Sequence, residues 1–190
     1  MSRRALFLDR DGVINHDPGY VNRIEDFVFV DGIFDLCRTA LSLDYLLIVV
    51  TNQAGIARGY YTEADFLRLT GWMCARFAQE RAGITEVFFC PYHPEHGKGS
   101  YLAESFDRKP NPGMLLRAAE KHSIALTESM MIGDTESDME AAKRAGVESR
   151  ILLLADTCVP PPASAATHAV NSLAEAGRLL AGAAGTCLCR

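Results

Sequence analysis

Short runs rich in β-branched and aromatic residues alternate along this chain with longer stretches of helical periodicity, and that alternation leaves few folds open. ALFLD (5–9), YLLIVVTN (45–52), EVFFCP (86–91), SMMIGD (129–134) and SRILLL (149–154) read as strands. Between them, 31–43, 62–83, 111–124 and 136–147 read as helices, with Thr62 as an N-cap, Pro112 near a first turn and Gly146 closing the last. A final short strand and helix follow in HAVNSLAEAGRLLAG, 168–182. Strand and helix in strict alternation predict an α/β fold: a Rossmann-like, doubly wound, mostly parallel sheet with helices on both faces. One domain is expected over 1–182, with a frayed tail at 183–190. Two segments interrupt the pattern: a long polar loop at 91–111 and a Pro/Ala-rich linker at 156–167.

In an open α/β sheet, ligands sit at the carboxyl ends of the strands. Three of these strands end in polar or acidic residues: Asp9, Thr51-Asn52 and Asp134. The first runs straight into Asp9 and Asp11, so two like charges crowd at its end. Such a pair needs a cation, or one member must take up a proton. Mg²⁺ suits it, because this ion takes one or two protein carboxylates and completes its octahedron with water and phosphate oxygens. Asp134 brings a further carboxylate to the same crevice. Lys109, on the long loop, and the Thr51 hydroxyl supply positive charge and a hydrogen bond for phosphate oxygens. An EF-hand reading of Asp9-x-Asp11-Gly12 fails, since Asn15 and Asp17 fit its ligand positions poorly and no glutamate closes the loop.

Composition narrows the partners. The net charge of −5 argues against a chain that coats nucleic acid or anionic membrane. No apolar run reaches the roughly 18 residues of a bilayer span. The start, SRRALFL, superficially resembles a twin-arginine export signal, but the acids from Asp9 onward cut the apolar run short. The scattered cysteines (37, 74, 90, 158, 187 and 189) suggest reduced thiols in a cytoplasmic protein, and separately a monomer is expected.

The ordered matches LDRDG, VVTNQ, RKPNPGM and GDTESD resemble the motifs of the haloacid dehalogenase-like phosphohydrolases. DRDGVINHDPGYV, TNQAGIARGYYTEADF, RKPNPGM and HAVNSLAEA are similar to the histidinol-phosphate phosphatase subfamily, and within it to the branch acting on heptose 1,7-bisphosphates. The likeness runs from Arg4 to about Leu180 and implies a fold without a large cap domain. It implies Asp9 as nucleophile and Asp11 as general acid and base. Mg²⁺ would be held by Asp9, the backbone carbonyl of Asp11 and Asp134. Thr51 and Lys109 would steady the phosphoryl oxygens. Substrate contacts would come from Asp17, Pro18, Gly19, Tyr20, Asn52, Gln53, Ala54 and Arg108, the last for a second phosphate. Thr135 stands where close relatives often carry lysine, which weakens one contact to a hydroxyl. Asp138 is either an outer acid of the site or a first-turn helix residue.

By the same resemblance, close relatives carry structural zinc on the long loop, through Cys-x-His followed by Cys-x-Cys. Here Tyr92 replaces the histidine, and Ser105-Phe106-Asp107 carries no thiolate. A site rebuilt from Cys90, His93, His96 and Asp107 is chemically conceivable. The expectation is instead a loop without structural zinc, folded on hydrogen bonds and on packing of Phe106. The resemblance thus implies a magnesium-dependent phosphatase removing the C7 phosphate of a phosphorylated heptose for surface polysaccharide synthesis. Histidinol-phosphate hydrolysis is the alternative. A catalytically silent binding protein is a further one, although such a protein would have no chemical need for both Asp9 and Asp11.

Overall fold

The computed structural model describes residues 2–154 and 162–186. Its six strands form one sheet in the order β3-β2-β1-β4-β5-β6, and every neighbouring pair is parallel. The strands are β1 (Arg4–Leu8), β2 (Tyr45–Asn52), β3 (Glu86–Cys90), β4 (Met130–Gly133), β5 (Ser149–Leu153) and β6 (His168–Val170). The helices are α1 (Ile33–Ser42), α2 (Ala54–Arg58), α3 (Glu63–Gln79), α4 (Gly113–His122), α5 (Glu136–Ala145) and α6 (Leu173–Thr186). The chain builds outward in one direction through β1, β2 and β3, then restarts on the other side of β1. The order therefore reverses between β1 and β4, which opens a crevice at their carboxyl ends.

Successive side chains of a strand point to opposite faces, and β1 serves two cores that way. Leu6 and Leu8 join Ile33 and Leu36 of α1, Leu69 and Met73 of α3, and Leu173 of α6 on one face. Ala5 and Phe7 join Met114 of α4 and Met139 of α5 on the other. A strand covered on both sides must read as a continuous apolar run, which is why ALFL and LLIVV show no polar alternation.

Helix termini follow the local chemistry. Thr62 caps α3 in a reciprocal box with Asp65, and Thr135 caps α5 in the same way with Asp138. Gly146 ends α5 at φ 90°, a left-handed conformation that costs glycine little. Pro112 is the N-cap of α4, next to its first turn. The short α2 was not anticipated, because AGIAR is too brief to show a periodicity of its own. Between β1 and α1 lies only a 3-10 turn, Ile24–Asp26, so no cap domain is inserted there. The last helix continues to Thr186, past the expected boundary at 182; residues 187–190 of the expected frayed tail, and 156–161 of the linker, lie outside the described residues. Cys37, Cys74 and Cys90 are free thiols, and burial pushes the Cys37 thiol up to about 12.

The long loop departs from expectation at Phe106, a residue that is 63% exposed. What packs is its backbone: the Phe106 carbonyl accepts from Gly113 N–H at 3.0 Å, an approach that a side chain at Gly113 would block. The loop is also held by His93 N–H to the Tyr101 carbonyl at 3.1 Å and by Tyr101 Oη to Glu63 at 2.9 Å. These two phenylalanines should separate in a denaturation experiment. Phe7→Ala, which empties a fully buried site, is expected to cost about 3–5 kcal/mol in urea unfolding. Phe106→Ala is expected to change stability by about 0.5 kcal/mol or less; equal losses would contradict this assignment of the core.

Candidate active site

Asp9 follows β1 and Asp134 follows β4, so both acids open onto the crevice where the sheet order reverses. The crevice encloses about 430 Å³ and is lined by Asp9, Asp11, Asp17, Gly19, Tyr20, Asn52, Ala54, Gly55, Tyr61, Lys109, Asp134, Thr135 and Ser137. That volume suits a small polar metabolite.

Carboxylate oxygens of Asp9, Asp134 and Asp138 all lie within 4.8 Å of one another. Lys109 reaches into this cluster, with Nζ 2.9 Å from Asp9 Oδ1 and 2.5 Å from Asp138 Oδ1, and it donates to the Val50 carbonyl at 2.9 Å. The Val50 carbonyl takes one of the ammonium's protons, and the two carboxylates pair with its charge. Burial works against the lysine's charge, but Asp138 and Asp9 outweigh it and hold its proton affinity above the ordinary value. Asp138 thus serves both of its expected roles, closing the helix cap and facing the site.

One cation does not balance three acids. Burial pushes Asp9 up to about 8, with Asp138, Asp11 and Asp134 adding to the rise and Lys109 opposing it. Burial, reinforced by Asp138, pushes Asp134 up to about 7. Asp134 Oδ1 is buried without a hydrogen-bond partner. Its other oxygen lies where a Cβ at Gly12 would come within 2.0 Å, so the approach of Asp134 to the β1 loop requires glycine there, at φ 83°. An all-oxygen donor set, an orphaned carboxylate oxygen and surplus negative charge fit a hard divalent cation such as Mg²⁺.

Asp11 takes no part in that cluster. Its Oδ1 accepts from Arg10 Nε and Nη2 at 3.0 and 2.7 Å and from Asn15 Nδ2 at 3.1 Å. Its Oδ2 accepts from Gln53 Nε2 at 3.0 Å. Gln53 is itself fixed: it donates to Thr51 Oγ1 at 2.9 Å and accepts from Tyr61 Oη at 2.6 Å. Two neighbouring acids therefore sit in different surroundings, one among carboxylates and an ammonium, the other in a fork of neutral and guanidinium donors.

Several expected substrate contacts turn out to be occupied elsewhere. Gln53 is 1% exposed, and its amide holds Asp11 rather than facing the crevice. Asn52 lines the crevice, yet its amide pairs both ways with the Lys109 backbone, at 3.0 and 3.1 Å. Thr135 spends its hydroxyl on Asp138, at 2.6 Å. Asp17, Pro18, Gly19 and Tyr20 form an exposed turn in which Asp17 Oδ1 accepts from Gly19 N–H at 2.9 Å. Arg108 lies outside the crevice lining and donates to the Tyr92 carbonyl at 3.2 Å. Of the four side chains considered for zinc, His93 Nδ1 accepts from the backbone N–H groups of Glu95 and His96, and Asp107 pairs with Arg117. Among the described residues the four do not converge as a ligand set. Sequence reasoning passed over Arg10, Asn15 and Tyr61. Arg10 carried one signal, a charged residue wedged between two acids; Tyr61 carried none, since its partner is set by the turn after α2.

Sheet order, crevice and acid cluster are those of a HAD-like hydrolase, and residues 106–176 match the HAD-hydrolase-like family model. The chain is 56% identical over 172 residues, 90% of each chain, to the D-glycero-α-D-manno-heptose-1,7-bisphosphate 7-phosphatase of Burkholderia mallei. It is 42% identical over the same length, again 90% of each chain, to the D-glycero-β-D-manno-heptose-1,7-bisphosphate 7-phosphatase of Escherichia coli K12. The D,D-heptose 1,7-bisphosphate phosphatase of B. bronchiseptica, solved with magnesium and phosphate, superposes with a TM-score of 0.79 at 26% identity, covering 94% of this chain and 98% of that one. The chain belongs to the HAD-like hydrolases, in the family of the D-glycero-D-manno-heptose-1,7-bisphosphate 7-phosphatases.

The charge imbalance makes a prediction for the metal-free protein. A carboxylate with raised native proton affinity contributes stability below its unfolded value, here 3.8, and loses it as pH rises through the folded values, about 7 for Asp134 and about 8 for Asp9. Chelator-treated protein should therefore melt at a lower temperature near pH 8.5 than near pH 5.5, and Mg²⁺ should raise the melting temperature more at the higher pH. A metal-free melting temperature that climbs across this range, with no larger gain from Mg²⁺, contradicts the picture of crowded acids.

Proposed function

We propose that this chain is a magnesium-dependent phosphatase that removes the C7 phosphate of D-glycero-D-manno-heptose 1,7-bisphosphate. The observation that carries the reading is the convergence of Asp9, Asp134, Asp138 and Lys109 at the switch point. The 56% identity to a named 7-phosphatase supports the sugar. The same comparison favours the α anomer, since the β-named relative from E. coli stands at 42%. The relatives named for heptose bisphosphates favour that sugar over histidinol phosphate. No helix among the described residues is long and apolar enough to cross a membrane.

In this proposal an oxygen of Asp9 attacks phosphorus, and the bond from phosphorus to the C7 oxygen breaks. Asp11 delivers a proton to the departing oxygen. Water then attacks the phosphorus of the aspartyl phosphate and gives its proton to Asp11, releasing phosphate and restoring Asp9. The cation, held by Asp9, Asp134 and the Asp11 carbonyl, would offset the charge of the phosphoryl group and of the acids. Lys109 and Thr51 complete the cradle; such preorganised donors are each worth about 3 kcal/mol in the transition state. Arg10, Asn15 and Gln53 aim Asp11, so that its carboxyl meets the leaving oxygen without a search.

Phosphate release should be measured on the α and β heptose 1,7-bisphosphates, histidinol phosphate and a generic aryl phosphate. The α bisphosphate is expected to give the highest kcat/KM, with activity lost to a chelator and recovered on adding Mg²⁺. Asp9→Asn and Asp11→Asn are each expected to lower kcat by about 10³-fold or more while retaining a cooperative melt. Equal rates on all four compounds would sink the sugar assignment, and near-normal turnover in either variant would sink the roles.

A further inference from the structure

We propose that Tyr61 is a positioning residue for the phosphatase reaction: its phenol fixes the Gln53 carboxamide, and through that amide it sets both Asp11 and Thr51. The inference rests on the function proposed above and gives a role to a side chain that no motif of the sequence marks.

Tyr61 follows the turn that ends α2, where Gly59 N–H donates to the Ile56 carbonyl and Tyr60 N–H to the Gly55 carbonyl, each at 2.9 Å. That turn brings the ring back against Gly55, where a Cβ would come within 2.1 Å of ring atom Cε1. Ile56 and Phe66 form one apolar cluster with the ring, and Val87, Phe89 and Tyr101 pack against that cluster. A ring held by apolar contacts carries one polar atom with it, and a buried phenol needs a partner. Here the partner is the Gln53 side-chain carbonyl, which accepts from Tyr61 Oη at 2.6 Å. Burial pushes the phenol up to about 12, with the Arg10 charge opposing the rise, so it stays a donor near neutral pH.

Every polar group of Gln53 is committed. Its backbone N–H donates to the Cys90 carbonyl at 2.8 Å, and its backbone carbonyl accepts from Ile56 N–H at 3.1 Å. The side-chain nitrogen has two protons, which go to Asp11 Oδ2 at 3.0 Å and to Thr51 Oγ1 at 2.9 Å. A carboxylate only accepts, so the amide nitrogen faces Asp11 and the amide oxygen faces Tyr61. Without the phenol, that oxygen is buried with no donor. An amide that turns to relieve the loss takes its protons away from Asp11 and Thr51.

Thr51 depends on the same amide. A hydroxyl has one proton and two lone pairs. The Gln53 amide occupies a lone pair, and no protein atom among the described residues accepts the Thr51 proton. That proton is left for the crevice, where a phosphoryl oxygen would accept it. One buried phenol thus sets two groups, one for the leaving oxygen and one for the phosphoryl oxygens.

The ring of Tyr61 also lines the crevice, so the test must separate positioning from direct contact with substrate. Tyr61→Phe removes a single oxygen and keeps the ring in its apolar cluster. Rates are compared on two alkyl phosphates, heptose 1,7-bisphosphate and histidinol phosphate, whose leaving oxygen needs a proton. The reference is p-nitrophenyl phosphate, whose leaving group departs without one, so effects on the phosphoryl oxygens cancel in the ratio. The alkyl-to-aryl ratio of kcat/KM is expected to fall about tenfold or more in Tyr61→Phe, through kcat. Gln53→Met should lower the ratio similarly, and adding Tyr61→Phe to it should change the ratio by about twofold or less, because the phenol acts through the amide. An unchanged ratio in Tyr61→Phe, even with a lowered melting temperature, overturns the proposal and leaves a purely structural phenol. A raised KM with kcat unmoved makes Tyr61 a substrate contact, and full losses that add in the double variant make it independent of Gln53; either result overturns the proposal. A wild-type enzyme that hydrolyses histidinol phosphate but not the heptose bisphosphate overturns the assigned sugar alone, since the ratio is then read on histidinol phosphate.

Discussion

A single buried ammonium holds the site together. Lys109 ties the loop before α4 to Asp9 at the end of β1 and to Asp138 in the first turn of α5 through ion pairs, and it donates to β2 through the Val50 carbonyl. Burying a charge is costly unless it is paired and hydrogen-bonded, so the lysine draws three separate elements into one place. The neighbouring residues reinforce that arrangement. Asn52 clamps the Lys109 backbone in both directions, and Asp138 divides its oxygens between the lysine and the cap of α5. The cluster nonetheless keeps an excess of negative charge, which is what makes a divalent cation and a phosphoryl group fit together there.

The centre of the sheet was legible in the sequence because β1, β2 and β4 are buried on both faces and apolar almost throughout. The crevice followed from the rule that ligands sit at the carboxyl ends of such strands, so Asp9, Asp134 and Lys109 could be placed together although 125 residues separate the first two. Side-chain direction was less legible. Gln53 and Asn52 are polar residues at a strand end, and nothing in their type tells whether they face substrate or brace a catalytic neighbour. Phe106 misled for a related reason: an apolar ring in a polar loop suggests packing, whereas the contact that forms is made by its carbonyl against a glycine. Tyr61 depends on a partner placed by the turn after α2, which no local pattern encodes, whereas Arg10 pairs with its sequence neighbour Asp11.

Different surroundings for Asp9 and Asp11 are the chemical content of the DRDG motif. The first acid sits among carboxylates beside a cation site; the second rests in a fork of donors from Arg10, Asn15 and Gln53. Phosphoryl transfer needs both conditions: an oxygen free to attack and a neighbour able to exchange a proton. With no cap domain inserted between β1 and α1, the turn at 17–20 and the start of α2 line the crevice directly. Rigid elements hold the acid cluster, and connecting segments form the rim.

Covalent capture of the acyl phosphate tests the central claim most directly. Asp11→Asn protein mixed with substrate and Mg²⁺, quenched in acid and treated with borohydride, should yield homoserine at position 9, located by peptide mass spectrometry. Phosphate transferred to a different side chain, or turnover with no modified peptide under conditions that trap a control acyl phosphate, would contradict attack by Asp9.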